Sequence, residues 1–121
     1  MLRDLRWGRI AVALVLTLAL QQVLMIHAVR VLYLPFDKWV HASSFVLVTL
    51  LFAWALGVRM VCIAALMLGL GALDEVTQIF LPGRTASVGD WLADALGVGL
   101  AVAGLWVWWR LKRPKPRLRP P

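Results

Sequence analysis

Apolar residues run along this chain in long unbroken stretches, and the few polar positions between them mark where its elements begin and end. Four stretches stand out, within residues 8–29, 37–57, 60–81 and 89–109. A helix crossing a hydrocarbon layer of about 30 Å needs roughly 20 mostly apolar residues, and each stretch meets that length. A transmembrane β-barrel would instead show short segments alternating apolar and polar, so continuous runs exclude it. The pattern predicts an all-α, polytopic membrane protein with four transmembrane helices. It forms one domain over residues 1–109, followed by a tail at 110–121.

The breaks fit this reading. "RVLYLPFDKW" carries Pro35 and interfacial aromatics and leads into the second helix, where Asp37 in the first turn complements the helix dipole. "GVRM" turns the chain into the third helix, and "PGRTASVGD" makes the loop before the fourth. Trp106, Trp108 and Trp109 form an aromatic belt at the last helix end. The first stretch has the basic start and apolar middle of a secretory signal. It lacks a small-x-small site and runs into further apolar sequence, so it reads as an uncleaved first helix. Its Gln21, Gln22 and His27 are expected to face other helices or the interface.

Charge then orients the layout. A net charge of +7 would suggest nucleic acid in a soluble protein, but the mean hydropathy of +0.83 places this chain in a membrane. Arg3, Arg6, Arg9, Arg59 and the six bases from Arg110 to Arg119 all fall on one side of a four-span layout. Arg30, Lys38 and Arg84 are left for the other. The positive-inside rule puts both termini in the cytoplasm. The proline-punctuated tail "RLKRPKPRLRPP" is expected to anchor on anionic lipid head groups rather than bind nucleic acid. The single cysteine, Cys62, can form no internal disulfide.

Against this background the acids are unevenly placed. Four of six lie between Asp74 and Asp94, in "DEVTQIFLPGRTASVGDWLAD". The residues from Met60 to Leu73 carry no charge and climb about 21 Å at 1.5 Å per residue, which sets Asp74 and Glu75 below the outer surface. Asp94 is one turn deeper than Asp90, and His41 one turn deeper than Asp37. Rotation of about 100° per residue puts Asp74, Gln78, Gly71 and Glu75 in one arc of the third helix. The same count aligns Asp90, Asp94, Gly97, Ala101, Gly104 and Trp108 along the fourth, and Asp37, His41 and Phe45 along the second. Small residues let helices approach, so the faces that carry carboxylates are also those that pack inward.

A charge near the bilayer centre costs roughly 2.5–3.5 kcal/mol on insertion scales, so such groups pair with one another or line a wet cavity. Asp74 or Glu75 could pair with Lys38 or Arg84 simply to hold helices together. A set drawn from three helices points further, because apolar packing would join helices without the desolvation cost. Asp37, Asp74, Glu75, Asp90 and Asp94 outnumber Lys38 and Arg84, which leaves His41 and the carboxylates as candidates for proton transfer. "LPGRT" presents Arg84 as a clamp suited to phosphate. No cofactor is expected. A divalent cation among the carboxylate oxygens is a minor alternative, since no strict metal motif is present.

"DKWVHASSF" followed by "DEVTQIFLPGRTASVGDWLADALGVGL" resembles the VanZ-like membrane proteins. The resemblance covers the second to fourth helices and marks Asp37, Lys38, His41, Glu75, Gln78, Pro82, Gly83, Arg84, Asp90 and Gly97. Asp94 stands where the family usually has Asn, which adds a negative charge. The resemblance implies a multi-pass protein of the bacterial cytoplasmic (inner) membrane. The family's name comes from a member associated with teicoplanin resistance, and the family has been likened to enzymes that exchange or hydrolyse lipid head groups.

The leading expectation is a site acting at a phosphate linkage on phospholipid or polyprenyl-linked lipid, with an effect on glycopeptide susceptibility. His41, Glu75 and Asp90 are its candidate catalytic residues. Asp37, Lys38, Gln78, Arg84 and Asp94 are its candidate substrate contacts. Membrane lipids are the expected partners, with no nucleic acid. A non-catalytic lipid-binding or envelope-modifying protein is the alternative. A small transporter fits less well, because the polar residues stop near the outer third.

Overall fold

The computed structural model describes residues 2–31, 36–82 and 85–113, with side chains described for residues 6–24, 36–82 and 85–113. Among them all regular structure is helical: α1 (Leu2–Val31), α2 (Phe36–Leu56), α3 (Met60–Gln78) and α4 (Val88–Lys112). Each contains a segment long and apolar enough to cross a membrane, as the sequence pattern predicts.

The helix ends differ from the expected ones for local reasons. α1 starts at Leu2 rather than Gly8, because "LRDLRW" holds good helix formers and no breaker. α3 stops at Gln78, short of residue 81. The N–H groups of Ile79, Phe80 and Leu81 each donate to a carbonyl three residues back, at 3.3, 3.1 and 3.1 Å. That tightening ends the helix before Pro82, whose ring disfavours a helical residue ahead of it. α4 continues past Trp109 to Lys112, with the Arg110 guanidinium 4.7 Å from the Trp106 ring and the Lys112 ammonium 4.2 Å from the Trp108 ring. Each pair is one turn apart, so the basic end of α4 lies along its own tryptophans.

At the opposite end of α2, Gly57 takes φ +58°, a left-handed conformation that suits glycine, and its N–H donates to the Ala53 carbonyl at 3.1 Å. The Arg6 guanidinium donates to the Leu56 carbonyl at 3.0 Å and ties the start of α1 to that end. The chain reaches α3 in only three residues, so α2 and α3 are antiparallel neighbours.

α2 and α4 make the most extensive pair, and α3 packs chiefly on α4. Gly97 sets the approach of α2 to α4: a Cβ there would overlap the Ala42 carbonyl oxygen. Ala13, Val48, Phe52, Ala55, Ile63, Met67 and Val98 form the apolar core. Leu66, Leu92, Leu96 and Leu100 point outward, which suits a surrounding of lipid tails. The backbone of α1 packs against α2 alone among the described elements, leaving a gap between α1 and α3.

Candidate functional site

The site begins with a register match between α2 and α4. Lys38 and His41 lie on the first turns of α2, and Asp90 and Asp94 are one turn apart on α4. The close approach at Gly97 brings these faces together as two rungs. The Lys38 ammonium donates to Asp90 Oδ1 at 3.0 Å. One turn deeper, His41 Nδ1 lies 2.9 Å from Asp94 Oδ1, with Asp94 only 1% exposed. With Asp94 ionised, Nδ1–H donates and Nε2 is the basic nitrogen. Nε2 is 3.9 Å from Asp37 Oδ1, beyond hydrogen-bond range.

α3 closes the third side. Gly71 faces Asp94 so closely that a Cβ there would sit 3.2 Å from Asp94 Oδ2. One turn on, Glu75 is buried, and its Oε2 accepts the Ser87 backbone N–H at 2.7 Å. That bond uses one of the unpaired N–H groups at the start of α4 and fixes the α3–α4 turn to the site. The other oxygens of the two acids, Glu75 Oε1 and Asp94 Oδ2, are buried without a hydrogen-bond partner among the described residues. One nitrogen of His41 and one oxygen from each of Glu75 and Asp94 lie within 4.8 Å of one another.

Asp74, next to Glu75 on α3, looks the other way. Asp74 Oδ2 accepts from the buried Gln78 amide at 3.0 Å, and Asp74 Oδ1 accepts from the Gln21 amide of α1 at 2.9 Å. The second of these bonds spans the gap between α1 and α3. A cavity of about 330 Å³ occupies it, walled by Leu20, Leu24, Phe45, Val48, Leu70 and Leu73, and at its polar end by His41, Asp74 and Gln21. Removing the carboxylate in Asp74→Ala leaves both amides without this partner. It is expected to cost about 1–3 kcal/mol in a denaturant titration followed by circular dichroism, most of it regained in Asp74→Asn.

The structure thus brings together His41, Glu75, Asp90, Asp94, Asp37 and Lys38 from the predicted set. Gln78 is near, but its amide is spent on Asp74 rather than on the His41 cluster. Arg84 and Gly83 lie outside the described residues, as does the side chain of His27. The arc drawn on α3 divides in two, with Glu75 toward α4 and Asp74 toward α1. Sequence reasoning gave Gln21 an inward or interfacial position but no place in the site, and it missed the Ser87 N–H. Only the rarity of amides in α1 hints at the first, and a backbone donor leaves no residue-type signal.

A family model described as VanZ/LLP1 matches residues 6–111, which takes in this whole layer and all four spans. The chain belongs to the VanZ/LLP1 family. It is a multi-pass membrane protein of a family linked to glycopeptide resistance. No curated protein and no solved structure matches it. The VanZ/LLP1 match begins within α1, so it includes Gln21 as well as the blocks on α2, α3 and α4.

Proposed function

We propose that this VanZ/LLP1 protein acts on a membrane lipid at the phosphate linkage of its head group, in the outer leaflet of a bacterial cytoplasmic membrane. The observation that carries this reading is the position of His41, which belongs both to the buried carboxylate cluster and to the apolar cavity between α1, α2 and α3. A lipid is the ligand that needs both environments at once. Its chain would lie along Leu20, Leu24, Phe45 and Leu70, and its phosphate would reach the end of the cavity where His41 and Lys38 start α2.

Lys38 is half exposed, and Asp90 fixes its ammonium at a defined point rather than neutralising it in the core. Together with Arg84 it would hold phosphate oxygens. His41, oriented by Asp94, and Glu75, oriented by the Ser87 N–H, are the groups able to take a proton from an attacking water and return one to the leaving oxygen. In that hydrolysis the water oxygen bonds to phosphorus, the bond from phosphorus to the leaving oxygen breaks, and the leaving group departs protonated.

The test is turnover by purified protein in nanodiscs, with labelled phospholipids and polyprenyl-phosphate lipids compared side by side. Product is expected from one lipid class, with loss in Glu75→Gln while helix content is unchanged. Binding that weakens in Arg84→Lys, without product from any lipid, would replace the enzyme with a recognition protein.

A further inference from the structure

Two carboxylate oxygens, Glu75 Oε1 and Asp94 Oδ2, are buried without partners in the same cluster. Asp94 is 1% exposed and Glu75 7%. An uncompensated carboxylate oxygen in such a setting carries its full desolvation cost, so two of them side by side are not explained by helix packing. The geometry points to a divalent cation site formed by His41, Glu75 and Asp94.

Three features carry it. Asp94 Oδ2 is turned toward α3, where it lies against Gly71, and Gly71 is one turn from Glu75 on the same face. Both free oxygens therefore belong to the α3–α4 side of the cluster. His41 supplies a nitrogen there, since Nδ1 already lies 2.9 Å from Asp94. Its other nitrogen is 3.9 Å from Asp37 Oδ1, so a small approach by Asp37 would let it accept from Nε2–H once Nδ1 holds an ion. A carboxylate behind a ligating histidine is the usual outer support of such a site.

Charge points the same way. Around His41 the described carboxylates are Asp37, Asp74, Asp90, Glu75 and Asp94, and the one described ammonium among them, that of Lys38, is paired with Asp90. A cation among the deeper acids would offset what Lys38 does not. One nitrogen of His41 and one oxygen of each acid lie within 4.8 Å of one another, close to the span of about 4.4 Å open to two ligands on one ion at 2.0–2.2 Å. One imidazole and two carboxylates suit Mn²⁺ or Zn²⁺ better than Ca²⁺, which prefers oxygen alone. The ion would lie beside the phosphate-holding Lys38, so its use in catalysis rests on the head-group reading, while its binding does not.

The experiment is titration of the full chain, stripped with chelator and held in phosphatidylcholine nanodiscs, with Mn²⁺. Loss of the free-ion paramagnetic resonance signal reads uptake. One ion per chain is expected, with affinity falling about tenfold or more in His41→Ala and in Glu75→Ala. Cys62→Ser, which removes an exposed thiol far from the cluster, should leave uptake unchanged. Thermal unfolding of the unsubstituted chain, raised by Mn²⁺ and lowered again by chelator, supports the site even where a variant fails to fold. No uptake by the unsubstituted chain, or uptake equal in folded His41→Ala and Glu75→Ala, overturns it. Lipid turnover by stripped protein that takes up no Mn²⁺ overturns the cation site and leaves the head-group reading standing. Uptake without turnover of any lipid leaves the site and removes that reading.

Discussion

Gly97→Leu is expected to abolish the folded bundle, and Gly97→Ala to weaken it more than a methyl group added at any other described glycine. A Cβ at this position would overlap the Ala42 carbonyl oxygen and lie 3.0 Å from the carbonyl carbon and 3.1 Å from Phe45 Cβ. The overlap is with backbone of a neighbouring helix, so no rotamer change relieves it, and α2 and α4 must separate. Overpacking of this kind costs typically about 1–3 kcal/mol and occasionally more. In a membrane the loss counts heavily, because close van der Waals contact replaces the hydrophobic effect as what holds helices together. Separation of α2 from α4 also parts Lys38 from Asp90 and His41 from Asp94, so both rungs of the site go with it. A graded denaturant titration by circular dichroism, with retained monodisperse elution as the folded standard, reads the effect. Gly104→Ala is the matched control, since a Cβ there meets nothing within 4 Å. Equal stability of the two alanine variants would mean that Gly97 does not set the α2–α4 distance.

The contrast between Gly97 and Gly104 also defines what the sequence made legible. Helical rotation put both glycines on one stripe of α4 with Asp90 and Asp94, and hydropathy placed all four spans. Periodicity gives a face, but not how far along that face the neighbouring helix stays in contact. The backbone of α2 lies directly against Gly97, while a Cβ at Gly104 would meet nothing within 4 Å. The same limit explains α3. One arc held Asp74, Glu75 and Gln78, yet the rotation of about 100° between successive residues sends Glu75 to α4 and Asp74 to Gln21 of α1. The resemblance to the VanZ-like proteins rests on motifs in α2, α3 and α4, so it could not bring α1 into the site. The cavity depends on how α1 leans against α2 and leaves α3, which is a tertiary outcome with no local signature.

Replacing His41 with alanine is expected to lower lipid head-group turnover by about two to four orders of magnitude, the range for loss of a positioned proton-transfer group. The same direction holds where His41 instead ligates a cation, so Asp94 variants are needed to resolve what the histidine requires. Asp94→Asn keeps an oxygen able to accept the Nδ1–H bond, and the family resemblance has Asn at this position. Turnover in that variant should stay within about tenfold of the original, whereas Asp94→Ala, which lets the ring rotate, should approach His41→Ala. Lys38→Met should behave differently: its ammonium is half exposed and holds substrate rather than moving protons, so KM should rise more than kcat falls. If Asp94→Asn were as inactive as His41→Ala, the negative charge itself would be required, and orientation of His41 would not account for the role of Asp94. If Lys38→Met lowered kcat alone, the ammonium would act in the transition state and not in holding the phosphate of the bound lipid.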